Sequence, residues 1–370
     1  MEKKAVAIVG ATGLAGQQFI VALEEHPWFE IRALVGSRRS AGKKFIDALR
    51  QPNGALGWWA GGFPGEKTQQ MIVQLSDDFD PESVEIVFTA TEIEPTMEQQ
   101  EKGETKRSLT QALESRFAAV RPTISTTSAF RYEHDVPILI PGVNNDHSRL
   151  LRKQADRGWK GFITPIPNCT TTGLAISLKP IHDRFGINMV IMTSMQAISG
   201  AGRTGGVLAL DILDNVIPFI VGEEEKVQTE TQKILGNFND GVIVPASFKV
   251  SCTCTRVNVH DGHTEAVFVS TVESCTVEAV KEAMGELGAE LAGLPSAPAR
   301  MIVIREDPFR PQPRLDRDTE DGMATVVGRL REDPALPNGI KYVLVSHNTK
   351  MGAAKGAVLV AEQLVRDGLI

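Results

Sequence analysis

Apolar residues run unbroken from Ala5 to Val9, stop at the glycine-rich turn GATGLAG over residues 10–16, and return at helical spacing in QQFIVALEEH. A second apolar strand, EIRALVG, follows at residues 30–36, and a third, VEIVFTA, at residues 84–90. Strand and helix alternating in this way predict a parallel sheet covered by helices. Between them, residues 51–69 (QPNGALGWWAGGFPGEKTQ) carry Gly, Pro and Trp without period and read as an irregular excursion. The charged run at residues 98–116 predicts an exposed helix interrupted at Gly103, a solvated face. From about residue 165 the pattern changes to longer alternating strands, as in MVIMTSMQAIS, KVSCTCTRVNVHDGHTEAVFVS and IKYVLVSHNT. Strands segregated from helices indicate an α+β domain. The closing stretch GAAKGAVLVAEQLVRDGL returns to helical spacing and is expected to rejoin the first domain.

Length supports this division, because 370 residues exceed what one hydrophobic core usually serves. The expected domains are residues 1–165 with 349–370, and residues 166–348. A net charge of −7 argues against a nucleic-acid partner, which usually meets a concentrated basic surface. The apolar run of the first ten residues is only a strand long, so a signal peptide is not expected, and no stretch reaches the length of a membrane span. A cytoplasmic protein is the expectation. Cys169, Cys252, Cys254 and Cys275 are too few for a disulfide scaffold and lack the paired spacing of a zinc site, so free thiols and no metal are expected.

The chemistry starts at the first turn. Gly10 and Gly13 suit tight backbone angles and the approach of amides to a pyrophosphate, and Gly16 lets the helix pack closely on the strand. Gly10, Thr12, Gly13, Leu14 and Gly16 are therefore the candidate contacts of a Rossmann-type dinucleotide domain. The second strand ends in Ser37, Arg38, Arg39 and Ser40 instead of an acidic residue, which suits a 2′-phosphate and favours NADP over NAD. In ITPIPNCTTTG, Cys169 falls after an apolar strand and at the first turn of a helix, with Thr170 to Thr172 available for the free amides. A thiol there has its thiolate stabilised by the helix dipole and becomes a nucleophile. Cys252, Cys254 and Cys275 read as structural cysteines. His263 interrupts an alternating strand that also carries Arg256. Seven residues apart, the two would face opposite ways in an unbroken strand, and Gly262 is expected to supply the bulge or turn that brings them into one cleft.

In order along nearly the whole chain, GATGLAG, SAGKK, DVPILIPGVNNDH, PNCTTTG, QAISGAG, RVNVHDGHTE, RPQPRLDRD, VVGRLR and SHNTKMGAAKG resemble the aspartate-semialdehyde dehydrogenases, in particular their archaeal and fungal branch. The resemblance implies that Cys169 is the nucleophile and His263 the general acid/base. It implies that Gln196 positions substrate near the thiol, and that Arg256 pairs with the substrate α-carboxylate. Glu223 and Lys226 resemble the pair that meets the amino group and the phosphate, and Arg131 a phosphate-binding arginine. Ser199, Gly200 and Gly202, with Asn348 and Thr349, would lie near the nicotinamide. The chain differs from the family pattern at Thr126, at Ala129 and Phe130 before Arg131, and at Met351.

The implied reaction reduces an acyl phosphate, aspartyl β-phosphate, to its semialdehyde with NADPH, in aspartate-family amino-acid biosynthesis. Cys169 thiolate displaces phosphate to form a thioester, hydride reaches the thioester carbon, and His263 protonates the oxyanion before collapse. Reduction of another acyl phosphate or of a CoA thioester such as malonyl-CoA, and a non-catalytic NADP-binding paralogue, stand as alternatives. PNCTTTG and the Glu223/Lys226 pair favour a 2-amino acyl phosphate. A homodimer or homotetramer is expected, as for small-molecule dehydrogenases generally.

Overall fold

A computed structural model describes residues 2–202 and 209–370. The chain divides into two compact units, the first comprising Met1–Pro137, Arg149–Ile166 and Ala357–Ile370, the second Ile138–Ser148 and Pro167–Gly356. The closing helical stretch thus contributes residues 357–370 to the first unit, whereas residues 138–148 and 349–356 lie in the second.

The first unit is built on six parallel strands: β1 (Lys4–Val9), β2 (Phe29–Gly36), β3 (Val73–Leu75), β4 (Ile86–Thr89), β5 (Thr123–Ser125) and β6 (Ile163–Pro165). Their order, β3-β2-β1-β4-β5-β6, is that of the doubly wound dinucleotide fold, whose ligand crevice opens beyond the carboxyl ends of the strands where the order reverses, here between β1 and β4. Val6 to Val9 and all of β4 are buried, as strands covered on both faces must be. The helix Leu14–Leu23 buries Phe19, Ile20 and Leu23 against this layer. His26 Nε2 meets Glu362 Oε1 at 2.8 Å and fastens the C-terminal segment inside the unit.

One sequence reading holds here and one changes. The excursion at 51–69 is largely irregular but firmly held: the buried amide of Gln17 donates to Gly57 O at 2.8 Å and accepts from Trp59 N at 2.8 Å. The charged run forms two helices, Met97–Glu101 and Lys106–Ala118, separated at Gly103, whose φ is +79°. It is not a solvated face throughout. Glu114 is fully buried and its carboxylate accepts from Thr89, Ser125 and Thr127 at 2.5, 2.6 and 3.1 Å. Burial pushes this carboxyl up to about 7 against those three donors. A charged residue at an inward helix position is invisible to a polarity count, because its partners come from strand ends 25 and 11 positions away.

The second unit holds β7 (Ile187–Gln196), a short hairpin of β8 (Asn237–Asn239) and β9 (Val242–Val244), β10 (Lys249–Arg256), β11 (His263–Thr271), β12 (Ile302–Arg305), β13 (Thr325–Asp333) and β14 (Gly339–Ser346). Six of these make a mixed sheet in the order β10-β7-β11-β14-β13-β12. The helix Cys169–Phe185 packs on one face, where His263, Glu265, Val267 and Val269 of β11 and Leu344 and Tyr342 of β14 are buried. On the other face Ile191 of β7 is 42% exposed, and Met189, Met195, Ala266 and Phe268 are half-buried. No helix among the described residues is long and apolar enough to cross a membrane.

Candidate active site

Cys169 opens the helix Cys169–Phe185, and Asn168 is its N-cap. The Asn168 side chain accepts from Thr170 N at 2.9 Å and Thr171 N at 3.2 Å, so the cap is the residue before the cysteine and not the threonines that the sequence suggested. Thr172 instead donates its hydroxyl to Asn168 O at 3.0 Å. Capping holds the first turn in register and leaves the Cys169 side chain at the helix mouth. Its sulfur lies 3.1 Å from His263 Nε2. Gly352 leaves room for it, since a Cβ there would stand 3.0 Å from Cys169 Cβ. All four cysteines are free, and burial pushes the Cys252 and Cys254 thiols well up, which leaves them inert.

The approach of Arg256 to His263 is not the bulge expected within one strand. Residues 249–271 form two strands, β10 parallel and β11 antiparallel to β7, and residues 257–262 pass over the end of β7. Arg256 is paired with Gln196 at that end, and His263 enters on the other side of β7, next to Thr264, which pairs with Met195. Gly262 supplies a turn with φ +95°. Gln196, Arg256 and His263 therefore gather at one strand end. Arg256 Nη1 donates to Ala197 O at 2.8 Å, and Ala197 N donates to His263 Nδ1 at 3.0 Å. His263 is fully buried, and burial beside Arg256 and His347 pushes its basicity down to about 3, which favours the neutral ring.

The helix Glu223–Ile234 adds the acidic side of the group. Glu223 Oε1 accepts from Asn168 Nδ2 at 2.9 Å and from Gln196 Nε2 at 3.1 Å. Two turns on, the buried Glu230 accepts the backbone amide of Asn168 at 2.7 Å, a contact that periodicity in an acidic segment does not reveal. Lys226 is half-buried and forms no ion pair among the described residues. Asn348 is braced at both ends of its amide, donating to Ser199 Oγ at 2.8 Å and accepting from Gly262 N at 2.9 Å. Gly200 faces Arg256 and His263, and a Cβ there would come within 2.9 Å of the guanidinium. Gly202 has φ +67°, and Thr349 is buried beside His347.

The remaining candidates lie in the first unit. Gly10 has φ +84°, and a Cβ on it would strike Ala90 O at 2.8 Å, while one on Gly16 would stand 2.1 Å from Gly10 O. Only glycine fits either position. The helix Leu14–Leu23 begins at Gly13 with no side-chain cap, so its first amides are left for a ligand, and Thr12 and Leu14 are half-exposed there. Ser40 Oγ donates to Ser37 O at 3.0 Å and closes the turn that presents the exposed Arg38 and Arg39, neither of which has an acidic partner among the described residues. A tight glycine cradle, uncapped amides and two uncommitted guanidiniums fit a dinucleotide with an extra phosphate. Arg131 is buried and donates to Ile166 O at 3.0 Å and Thr126 O at 3.1 Å. Phe130 and Ala129 belong to a core cluster with Val136 and Ile163, and Met351 is buried, so these departures from the family pattern sit in packing positions.

A doubly wound nucleotide unit joined to a mixed-sheet unit that carries a cysteine–histidine pair is the arrangement of the semialdehyde dehydrogenases. Residues 5–151 match the family model described as semialdehyde dehydrogenase, NAD binding domain, and residues 178–351 that described as semialdehyde dehydrogenase, dimerisation domain. More particularly, the chain belongs to the aspartate-semialdehyde dehydrogenase family. It is 43% identical over 360 residues to the aspartate-semialdehyde dehydrogenase of Methanothermobacter thermautotrophicus, covering 96% of this chain and 97% of that one. The crystal structure of the Candida albicans aspartate-semialdehyde dehydrogenase with NADP is similar with a TM-score of 0.84 at 37% identity, over 100% of both chains. A second structure, aspartate-semialdehyde dehydrogenase II of Vibrio cholerae complexed with ASA, gives a TM-score of 0.73 at 28% identity over 99% of both chains.

Proposed function

We propose that the chain reduces aspartyl β-phosphate to aspartate β-semialdehyde, reversibly and with release of phosphate, through a thioester on Cys169, as a step of aspartate-family amino-acid biosynthesis. The observation that carries this reading is the Cys169 sulfur 3.1 Å from His263 Nε2, at a capped helix start and beside a buried arginine. Cys169 attacks the acyl carbon, and its thioester is the species that is reduced. Arg256 is buried without an ion-pair partner among the described residues, the environment in which a substrate carboxylate becomes the missing counter-ion. Glu223 offers an acceptor for the substrate amino group, Gln196 orients the acyl group, and Lys226 and Arg131 serve the phosphate. His263, as general acid/base, protonates the oxyanion that forms on the acyl oxygen.

NADPH, when bound, supplies the hydride. Gly10, Thr12, Gly13, Leu14 and Gly16 would hold its pyrophosphate, Ser37, Arg38 and Ser40 its 2′-phosphate, and Ser199, Gly200, Gly202, Asn348 and Thr349 its nicotinamide end. Replacing Arg38 by alanine is expected to raise the KM for NADPH by about 10–100-fold and leave that for NADH nearly unchanged, since a charge-assisted bond is worth roughly 1.5–3 kcal/mol. Equal loss with both cofactors in steady-state kinetics would refute the assignment.

A homodimer formed through the open face of the mixed sheet is the assembly we favour, because Met189, Ile191, Met195 and Phe268 leave an apolar surface uncovered there. Sedimentation should give twice the chain mass of 40.2 kDa, or four times if dimers pair, and a monomer contradicts the proposal. For the reaction itself, NADP reduction by aspartate semialdehyde that depends on inorganic phosphate is the expected result. Turnover only with an acyl-CoA would overturn it in favour of a CoA-thioester reductase.

A further inference from the structure

The residue that starts the nucleophile's helix is held by groups from outside that helix. In a capping box the N-cap side chain accepts an amide of the first turn, and a Glu or Gln three residues on accepts the N-cap's own amide in return. Asn168 meets the first half, accepting from Thr170 N and Thr171 N at 2.9 and 3.2 Å. Thr171 stands where the Glu or Gln would be, and its hydroxyl is buried without a hydrogen-bond partner among the described residues. Glu230 supplies the second half from 62 positions away, its Oε2 accepting from Asn168 N at 2.7 Å. Glu230 is fully buried, and an N–H left without an acceptor at such depth is costly.

Glu223 and Glu230 lie two turns apart on the helix Glu223–Ile234 and so face the same way. Glu223 Oε1 accepts from Asn168 Nδ2 at 2.9 Å, so one helix face holds Asn168 by its side-chain amide and its backbone amide together. That helix is itself fastened to the edge of the mixed sheet. Glu224 Oε1 accepts from Cys254 N at 3.0 Å on β10, two residues before Arg256, and Gln232 Nε2 donates to Phe248 O at 2.8 Å just ahead of that strand.

We propose that Glu230 is a positioning residue for Cys169: it completes the cap of the nucleophile's helix from a second helix, and so fixes where the sulfur meets the acyl carbon. This rests on the thioester reading above and leaves Cys169 and His263 the roles given there. Asn168 is joined directly to Cys169, so a shift of its amide turns the Cys169 side chain away from the place where its sulfur lies 3.1 Å from His263 Nε2. A misplacement of about 1 Å at a reacting atom lowers the rate about 10²-fold. Two functions then share one helix, because Glu223 faces the substrate amino group and Glu230 anchors the turn that carries the nucleophile.

The test compares E230M and E230Q in the full-length protein. Met fills similar space without an acceptor, whereas Gln keeps a carbonyl oxygen for the Asn168 amide and gives up only the charge. In the phosphate-free reaction of aspartate semialdehyde with NADP, E230M should form NADPH about 10²-fold more slowly than wild type, at an unchanged KM for NADP and still reaching one NADPH per chain. E230Q should stay within about fivefold of wild type, the difference between a charged and a neutral acceptor. A purely structural role would lower the amplitude, through the fraction of folded chains, and spare the rate. A fall in amplitude at the wild-type rate, an equal loss of rate in both variants, or a wild-type rate in E230M overturns the proposal. If E230M does not fold, E230Q decides, and a hundredfold loss in folded E230Q overturns it. Alkylation of Cys169 by iodoacetamide without substrates gives a second readout that needs no turnover: it should be slower in E230M than in E230Q, and equal rates overturn the proposal. That order of alkylation in a protein whose wild type forms no NADPH would refute the reaction and not the positioning role.

Discussion

Replacing Cys169 by serine is expected to lower kcat by about three orders of magnitude or more while cofactor binding and the melting temperature stay near wild type. The substitution changes one atom at a position that is only partly buried, and the cap on the helix belongs to Asn168, so folding has little reason to respond. Chemistry responds strongly, because a hydroxyl at neutral pH supplies almost no anion and the thiolate is the form that attacks. The same contrast predicts the labelling pattern of the native protein: a thiol-alkylating reagent should abolish activity by modifying Cys169, with Cys252 and Cys254 untouched because burial holds them protonated. Peptide mapping after partial inactivation checks this. Activity retained in C169S, measured against an empty-vector preparation, would remove the nucleophile from the account.

The second large effect is expected at Arg256. Truncation to leucine should cost about 10²–10³-fold in kcat/KM, since losing one member of a buried hydrogen-bonded charge pair costs roughly 2–5 kcal/mol and each 1.4 kcal/mol is tenfold. Two losses contribute. The substrate carboxylate loses its partner, and the Ala197 carbonyl, held at 2.8 Å, loses the group that keeps the strand end in place. Lysine at this position keeps the charge but not the two-pronged geometry, so R256K should fall between wild type and R256L. Most of the loss should appear in KM for aspartate semialdehyde, with the KM for NADP unchanged. A variant whose loss falls on the cofactor would place Arg256 elsewhere in the reaction.

How far such assignments were legible in the sequence depended on the range of the interactions. The tight turn at Gly10 and Gly16 follows from local backbone geometry, and the exposed position of Arg38 and Arg39 from the end of the second strand, so spacing is sufficient to read both placements. Cys169 is similar, because the proline-flanked strand end and the helix start are adjacent in the chain. What is missing from spacing is everything made by register. Arg256 and His263 meet because β10 and β11 flank β7 on opposite sides, a pairing that alternation within one segment does not contain. Asn168, a good N-cap by type, was overshadowed by three threonines whose hydroxyls are equally able to cap. Glu114 and Glu230 look solvated in any polarity pattern, and their burial follows from donors brought by strand ends and by the cysteine turn. Gly352 is a further case, small because a Cβ there would meet the Asn348 carbonyl oxygen at 2.8 Å and Cys169 Cβ at 3.0 Å.

The central claim, a thioester on Cys169 formed from an aspartyl group, is tested most directly by mixing the protein with aspartate semialdehyde and NADP in the absence of phosphate. Without the acceptor the acyl group is stranded on the enzyme. The account predicts a single burst of NADPH, equal to one per active chain, and a mass gain of one aspartyl group that maps to Cys169 and disappears when phosphate is added. Continuous NADPH formation without phosphate, or an acyl group found on any other residue, would contradict it.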